Sequence, residues 1–179
     1  MRDERFHGTT ILGVRRNGKI ALGGDGQVTL GDTIVKTSAV KIRRLYNETI
    51  LAGFAGATAD AFSLFEKFEG KLEEYSGNMP RAVVELAKDW RTDKMLRHLE
   101  AMLVIMNDKN SFVVSGEGDV LEPDDEVITI GSGSPYALAA ARAYLDGTRL
   151  SAANIVEKSL LITSSICVYT NNKITVMEL

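Results

Sequence analysis

Extended and helical segments alternate in pairs along this chain, and that order leaves few architectures open. Thr10 to Arg16 and Lys19 to Gly23 flank Asn17-Gly18, a dipeptide that favours positive φ and closes a tight hairpin. Further extended segments fall at Thr33 to Lys36 and Lys41 to Tyr46. They lead into Thr49 to Ala55, which ends in a glycine-rich corner, Gly53-Phe54-Ala55-Gly56. The pattern then turns helical, with Ala61, Leu64, Phe65, Phe68 and Leu72 recurring at three and four residues on one face. Gly77 lies past the end of this helix. Pro80 suits the first turn of a second, where its missing N–H costs nothing. Val83, Leu86, Trp90, Leu96, Leu99 and Leu103 are expected on the buried side of that second helix.

The same order then repeats. Ser111 to Ser115, Val120 to Glu122 and Val127 to Ile130 read as short strands separated by Gly118-Asp119 and Pro123-Asp124-Asp125. Ser134 as N-cap and Pro135 in the first turn open an alanine-rich helix that stops at Gly147, and Ser151 caps another carrying Ile155, Val156 and Leu160. Strands near Ile166 to Tyr169 and Lys173 to Met177 close the chain. Each helix pair can cover the outer face of one sheet while the two sheets face each other. The expected architecture is α+β, a four-layer α-β-β-α sandwich.

The 179 residues are enough for one domain with a sizeable core, expected here over residues 9–179 behind an eight-residue leader. Lys and Arg total 21 against 24 Asp and Glu, a net charge of −3, which supplies no positive field for nucleic acid or an anionic membrane. One cysteine forbids an intrachain disulfide, and the leader MRDERFHG lacks the apolar run of a secretion signal. A cytoplasmic protein is expected. No apolar stretch approaches the roughly 18 residues that a membrane-spanning helix requires.

Familiar catalytic arrangements are poorly supplied. The two histidines, His7 in the leader and His98 on a charged helix face, are better read as solvated side chains than as members of a triad. With Cys167 they form no metal-ligand cluster, and the β-branched surroundings of Cys167 suggest a packed thiol. Gly23-Gly24-Asp25-Gly26 and Gly131-Ser132-Gly133-Ser134-Pro135 match neither phosphate-loop pattern, so ATP is not expected on this chain. The second loop does precede a helix N-terminus, where free N–H groups can stabilise an anion or oxyanion.

A hydroxyl with an unusual base remains. If cleavage after Gly8 freed Thr9, its hydroxyl would be the nucleophile and its own α-amine the proton acceptor. An α-amino group titrates near pKa 7.7–8.0, so a useful fraction is neutral at physiological pH. The leader would keep that amine acylated until removed. Gly8, without a Cβ, would let the chain fold tightly enough for Thr9 to reach the carbonyl before it.

Several long blocks carry a family resemblance: TTILGVRRNGKIALGGDGQVTLGDT, KIRRLYN, LAGFAGATADAFSLFE, ELAKDWRTDKMLRHLEAML and GSGSPYALAAARA. In this order, from Thr9 onward, they resemble the HslV (ClpQ) family, proteasome-related peptidase subunits of the bacterial HslUV complex. The resemblance implies an N-terminal nucleophile hydrolase fold, self-processing to expose Thr9, and a homododecamer of two stacked hexameric rings enclosing the active sites. It implies as partner HslU, a hexameric AAA+ ATPase that unfolds polypeptide substrates and switches the peptidase on.

The resemblance also assigns residues. Thr9 matches the nucleophile, Lys41 the lysine beside it and Asp25 the aspartate that holds the lysine. As a cation, Lys41 would favour the alkoxide developing on Thr9. Gly53 and Gly56 match the corner whose backbone lies along the substrate and contributes the oxyanion site. Ser132 matches a serine near the free amine. Ser164, Cys167 and Thr170 fall where backbone carbonyls hold a sodium ion, a hard cation that needs no soft thiol ligand. Two other readings stay open on the residues: an amidase acting on a small molecule with the same Thr9 chemistry, and a non-catalytic ring subunit.

Overall fold

The computed structural model describes residues 6–7, 9–56, 58–93 and 101–179. Gly8, Leu96, His98 and Leu99, and the side chains of His7 and Ala61, lie outside the described residues.

The first half supplies seven strands: β1 (Phe6–His7), β2 (Thr10–Arg16), β3 (Lys19–Asp25), β4 (Val28–Leu30), β5 (Thr33–Lys36), β6 (Ile42–Leu45) and β7 (Ile50–Gly56). Two helices follow, α1 (Thr58–Glu74) and α2 (Met79–Thr92), then β8 (Ala101–Met106), β9 (Ser111–Ser115), β10 (Val120–Leu121) and β11 (Val127–Gly131). Helices α3 (Ser134–Gly147) and α4 (Ala152–Ser164) precede β12 (Ile174–Glu178). The strands form a five-stranded sheet ordered β10-β9-β8-β7-β6, a four-stranded sheet ordered β11-β2-β3-β12, and a small sheet ordered β1-β4-β5.

Three hydrophobic layers join these elements. Leu64, Phe65, Phe68 and Leu72 of α1 and Val83, Leu86 and Trp90 of α2 pack on Ile50, Ala52 and Phe54 of β7. Ile155, Val156 and Leu160 of α4 and Ala137 and Ala141 of α3 cover Leu12, Val14 and Ala21. Ile11, Leu22, Ile42, Leu51, Val104 and Ile128 fill the space between the sheets. Alternate residues of one strand therefore serve different layers, Ile11 the middle and Leu12 the outer. A strand buried on both faces reads as a nearly continuous apolar run. The result is the expected four-layer α-β-β-α sandwich.

Local chemistry explains most boundaries. Asn17 and Gly18 adopt φ of 52° and 75°, the positive pair that a two-residue hairpin demands. Gly77, at φ 79°, donates its N–H to the Leu72 carbonyl at 2.7 Å and terminates α1. Asn78 caps α2, with Pro80 in its first turn, and Ser151 caps α4 through a bond from the Asn154 N–H.

Three expectations are corrected. Leu103 does not extend α2: the helix ends at Thr92, and Leu103 lies in β8, whose run AMLVIM lacks strand alternation because both faces are buried. Ile166 to Tyr169 is a turn, tied by Ile166 and Cys167 N–H groups to the Thr163 carbonyl, and not a strand. The N-cap of α3 is Gly133, with Ser134 already the first helical residue. Among the described residues, no helix is long and apolar enough to cross a membrane.

Candidate active site

The site forms where four chain segments meet at the start of β2. Residue pairing between β2 and β11 ends at Thr10 opposite Gly131, and one step further the Ser132 N–H donates to the Thr9 carbonyl at 2.9 Å. Thr9 itself is buried. β3 lies on the other side of β2 and ends at Asp25, one residue beyond the Ile11 to Gly24 pairing. Lys41 immediately precedes β6 and is anchored to β7 by the Phe54 N–H, which donates to its carbonyl at 3.1 Å.

Asp25 is the hub of the cluster. Its Oδ1 accepts the Thr10 N–H at 2.9 Å and the Lys41 Nζ at 3.0 Å. Its Oδ2 accepts the Gln27 N–H at 2.9 Å and the Asn171 N–H at 3.2 Å. Four donors thus converge on the acceptor sites of one carboxylate. Both charged residues are withdrawn from water, Asp25 at 1% exposure and Lys41 at 2%. Burial pushes the Lys41 ammonium below its ordinary value of 10.5, while the charge of Asp25 and its hydrogen bond oppose that shift. The Gln27 carbonyl, 2.5 Å from Nζ, gives the ammonium a second acceptor.

Of the residues expected at the site, Asp25 and Lys41 pair directly, and the Thr9–Thr10 amide joins them through the shared Oδ1. Ser132 reaches Thr9 through its backbone N–H, with its side chain exposed. Gly56 ends β7 at φ 138°, a conformation reserved for glycine. N–H groups alternate in direction along a strand, so its N–H faces the same side as that of Phe54, beyond the start of β6. Gly53 is not in a corner. It pairs with Ile42 on one side and Val104 on the other, and a Cβ there would stand 2.9 Å from Ile11 and 3.2 Å from Ile42. Close packing between the sheets accounts for that glycine, and strand β7 continues past it to Gly56.

The loop after α4 carries the carbonyls expected to hold a cation, those of Ser164, Cys167 and Thr170. The Cys167 carbonyl accepts the Thr170 N–H at 3.1 Å, which leaves a second lone pair, and its thiol is buried. The carbonyls of Ser164 and Thr170 accept no backbone N–H from the described residues. The Ser164 oxygen lies at the negative end of α4, and all three carbonyls are hard donors. Hard carbonyl donors are of the kind that a monovalent cation takes. Among the described residues, no group of His, Cys, Asp and Glu side chains could hold a metal.

The structure adds residues that the sequence reading passed over. Thr10 Oγ1 lies 2.7 Å from Thr170 Oγ1 and accepts the Gly133 N–H at 3.0 Å, so the loop after α4 is joined to β2. Asn171 accepts the Gly26 N–H at 3.1 Å and donates to the Thr37 carbonyl at 2.9 Å. Gln27 and Asn171 had one usable signal, an amide side chain in a turn segment next to a strand end. Thr10 had only its place beside Thr9. The described part of the leader, Phe6–His7, pairs antiparallel with β4, Phe6 opposite Leu30 and His7 opposite Thr29.

A two-sheet sandwich between helix pairs, with a buried acid and lysine gathered at the start of β2, is the N-terminal nucleophile hydrolase fold of proteasome type. A family model described as proteasome subunit matches residues 5–179. The structure of eukaryotic HslV from Trypanosoma brucei is 44% identical at a TM-score of 0.90, over 95% of this chain and 98% of that one. Two structures of Thiobacillus denitrificans BPH, one in complex with epoxomicin, are 20% identical with TM-scores of 0.73 and 0.70, and share the fold. The chain belongs to the proteasome subunit family and, within it, to the HslV protease subunits.

Proposed function

We propose that this chain is a threonine endopeptidase that hydrolyses unfolded polypeptide, with Thr9 as nucleophile once residues 1–8 have been removed. The observation that carries this reading is the shared Asp25 Oδ1, which joins the Thr9–Thr10 amide to the Lys41 ammonium at 2.9 and 3.0 Å. That contact ties a buried cation to the backbone amide that follows Thr9, which supports a role for Lys41 in favouring the alkoxide, and it needs no histidine.

Processing would begin with attack of Thr9 Oγ1 on the Gly8 carbonyl. The Gly8–Thr9 C–N bond breaks, the freed amine takes the proton, and water hydrolyses the resulting ester. In turnover the neutral α-amine accepts the hydroxyl proton, Oγ1 bonds to the scissile carbonyl carbon, and the protonated amine returns the proton to the leaving amine. Water then hydrolyses the acyl ester. Lys41 stabilises the developing alkoxide, Asp25 holds Lys41, and the Gly56 N–H faces the region where an oxyanion would form. The Ser132 N–H fixes the Thr9 carbonyl and thereby the amine beside it.

The 44% identity to an HslV chain supports further parts of the proposal. The working form is two stacked hexameric rings activated by HslU in the cytoplasm. A sodium ion is held by the carbonyls of Ser164, Cys167 and Thr170, where it would supply a fixed positive charge that stiffens the loop. ATP is bound by the partner and not by this chain.

Intact mass and N-terminal sequencing test the core of this reading. The active protein is expected to begin at Thr9, and the Thr9→Ala chain to retain Met1 or at least Gly8. Thr9→Val is expected to abolish peptide hydrolysis in a folded, assembled protein. Near-normal hydrolysis by that variant would refute the assignment.

A further inference from the structure

Gln27 touches both members of the buried ion pair with its backbone and a separate part of the fold with its side chain. Its N–H donates to Asp25 Oδ2 at 2.9 Å, and its carbonyl accepts from Lys41 Nζ at 2.5 Å. Its side-chain Nε2 donates to Thr29 Oγ1 at 3.0 Å and to the Val168 carbonyl at 2.8 Å. Residues 26–27 belong to neither β3 nor β4, and the β4–β5 pairing is irregular at Val28 and Thr29. Ladder bonds therefore do little to fix the Gln27 carbonyl. The side-chain amide adds an anchor to those that the Gln27 N–H makes with Asp25 and the Gly26 N–H with Asn171.

The far end of that anchor is well placed. Gln27 is 3% exposed, whereas Val168 is 78% exposed, so the turn after α4 directs a side chain outward and a carbonyl inward to the amide. The same turn reaches the site through Thr170 and Asn171. Lysine ends in a compact charge on a flexible four-carbon stem, and its position follows the acceptors that hold it. One acceptor here is a rigid, four-donor carboxylate. A second is a peptide oxygen whose own residue carries the buried side-chain amide.

We propose that Gln27 is a positioning residue: its side-chain amide ties the segment between β3 and β4 to the turn after α4, and this fixes the acceptor that sets the Lys41 ammonium relative to Thr9. The inference rests on the reading of Thr9 as nucleophile.

The test is steady-state hydrolysis of a fluorogenic peptide by the processed protein assembled with its ATPase, with rates expressed per titrated active site. Gln27→Met keeps the length and removes both donors. Misplacement by about 1 Å costs on the order of a hundredfold in rate, so a partly restrained lysine is expected to lower kcat by about tenfold or more. KM should stay within about twofold of the parent. An unchanged kcat per site overturns the proposal, as does a fall confined to the titre of active sites, which marks a purely structural residue. A raised KM with unchanged kcat also overturns it, because Gln27 would then act on substrate binding.

If Gln27→Met fails to assemble, Thr29→Val carries the test. This isosteric change removes one acceptor of the amide and is expected to lower kcat about two- to threefold with KM steady; an unaltered kcat again overturns the proposal. Activity in Thr9→Ala would instead show that the nucleophile assignment is wrong, and this proposal would fall with it.

Discussion

The carbonyl oxygen of Thr9 lies 1.9 Å from the point where a Cβ on Gly131 would stand. The same oxygen accepts the Ser132 N–H, and Gly131 holds φ at +93°. Strand β11 can close on the Thr9 backbone only because residue 131 has no side chain, so the place of Thr9 is set by a missing atom as much as by a bond.

Gly131→Ala is therefore expected to displace Thr9 and break the Ser132 contact. Positive φ and the clash together should cost about 1–3 kcal/mol in stability, and kcat should fall at least about tenfold. Gly147→Ala is the control, since a Cβ there meets nothing within 4 Å. Chemical denaturation and peptide hydrolysis on both variants check the contrast. Equal behaviour of the two would refute the account of Gly131.

Asp25→Asn removes one charge of a pair that water barely reaches. An unpaired buried ammonium is strongly unfavourable, and the loss of stability is expected to be about 3–5 kcal/mol with activity abolished. Adding Lys41→Met removes the stranded charge and should restore part of the stability but none of the activity. Denaturation midpoints of the single and double variants decide this. A double variant less stable than Asp25→Asn would contradict the charge-burial account.

The sequence carried the architecture further than the site's wiring. Element order was legible because Asn17-Gly18, Pro80 and Ser151 each impose a local geometry, and because α1 shows its buried face at helical spacing. β8 was hidden for the opposite reason: a strand buried on both faces has no alternation to read, and Leu103 fitted a helical register equally well. Thr9 stood out on chemical grounds, since an α-amine is a ready-made base near neutrality. Asp25 and Lys41 came from resemblance, because an aspartate among glycines and a lysine before two arginines look like a turn and a solvated edge. Gln27 and Asn171 offered only an amide in a turn segment, which does not reveal contacts across the chain, Gln27 to Val168 and Asn171 to Asp25.

Activity and stability should respond oppositely to alkali at Lys41. Its folded pKa is lowered from 10.5, chiefly by burial. Between that lowered value and 10.5 the unfolded chain binds a proton that the folded chain has released, so this group's contribution to stability rises with pH. The ammonium that the proposed mechanism requires is lost over the same range. The rate should then be bell-shaped, limited on the acid side by protonation of the Thr9 amine, ordinarily near 7.7–8.0, and on the alkaline side by loss of the Lys41 proton below 10.5. Profiles of kcat/KM on the processed enzyme test this. An alkaline limb unmoved by Lys41→Arg would exclude Lys41 as its source.

The turn after α4 gives a final prediction. Replacing sodium by tetramethylammonium at constant ionic strength leaves screening unchanged but removes an ion small enough for a carbonyl cage. A cation present at a hundred times its dissociation constant stabilises the folded state by about 2.7 kcal/mol, so the thermal midpoint should fall by several degrees. The effect should reach catalysis, because Thr170 Oγ1 lies 2.7 Å from Thr10 Oγ1 and the next residue, Asn171, donates to Asp25. Thr170→Val keeps the backbone carbonyl and removes the hydroxyl contact, and it should lower kcat while preserving the sodium dependence of the midpoint. Identical midpoints in the two salts for the parent protein would rule out a cation in this turn. A sodium dependence lost in Thr170→Val would show that the hydroxyl, and not the carbonyl, is the ligand.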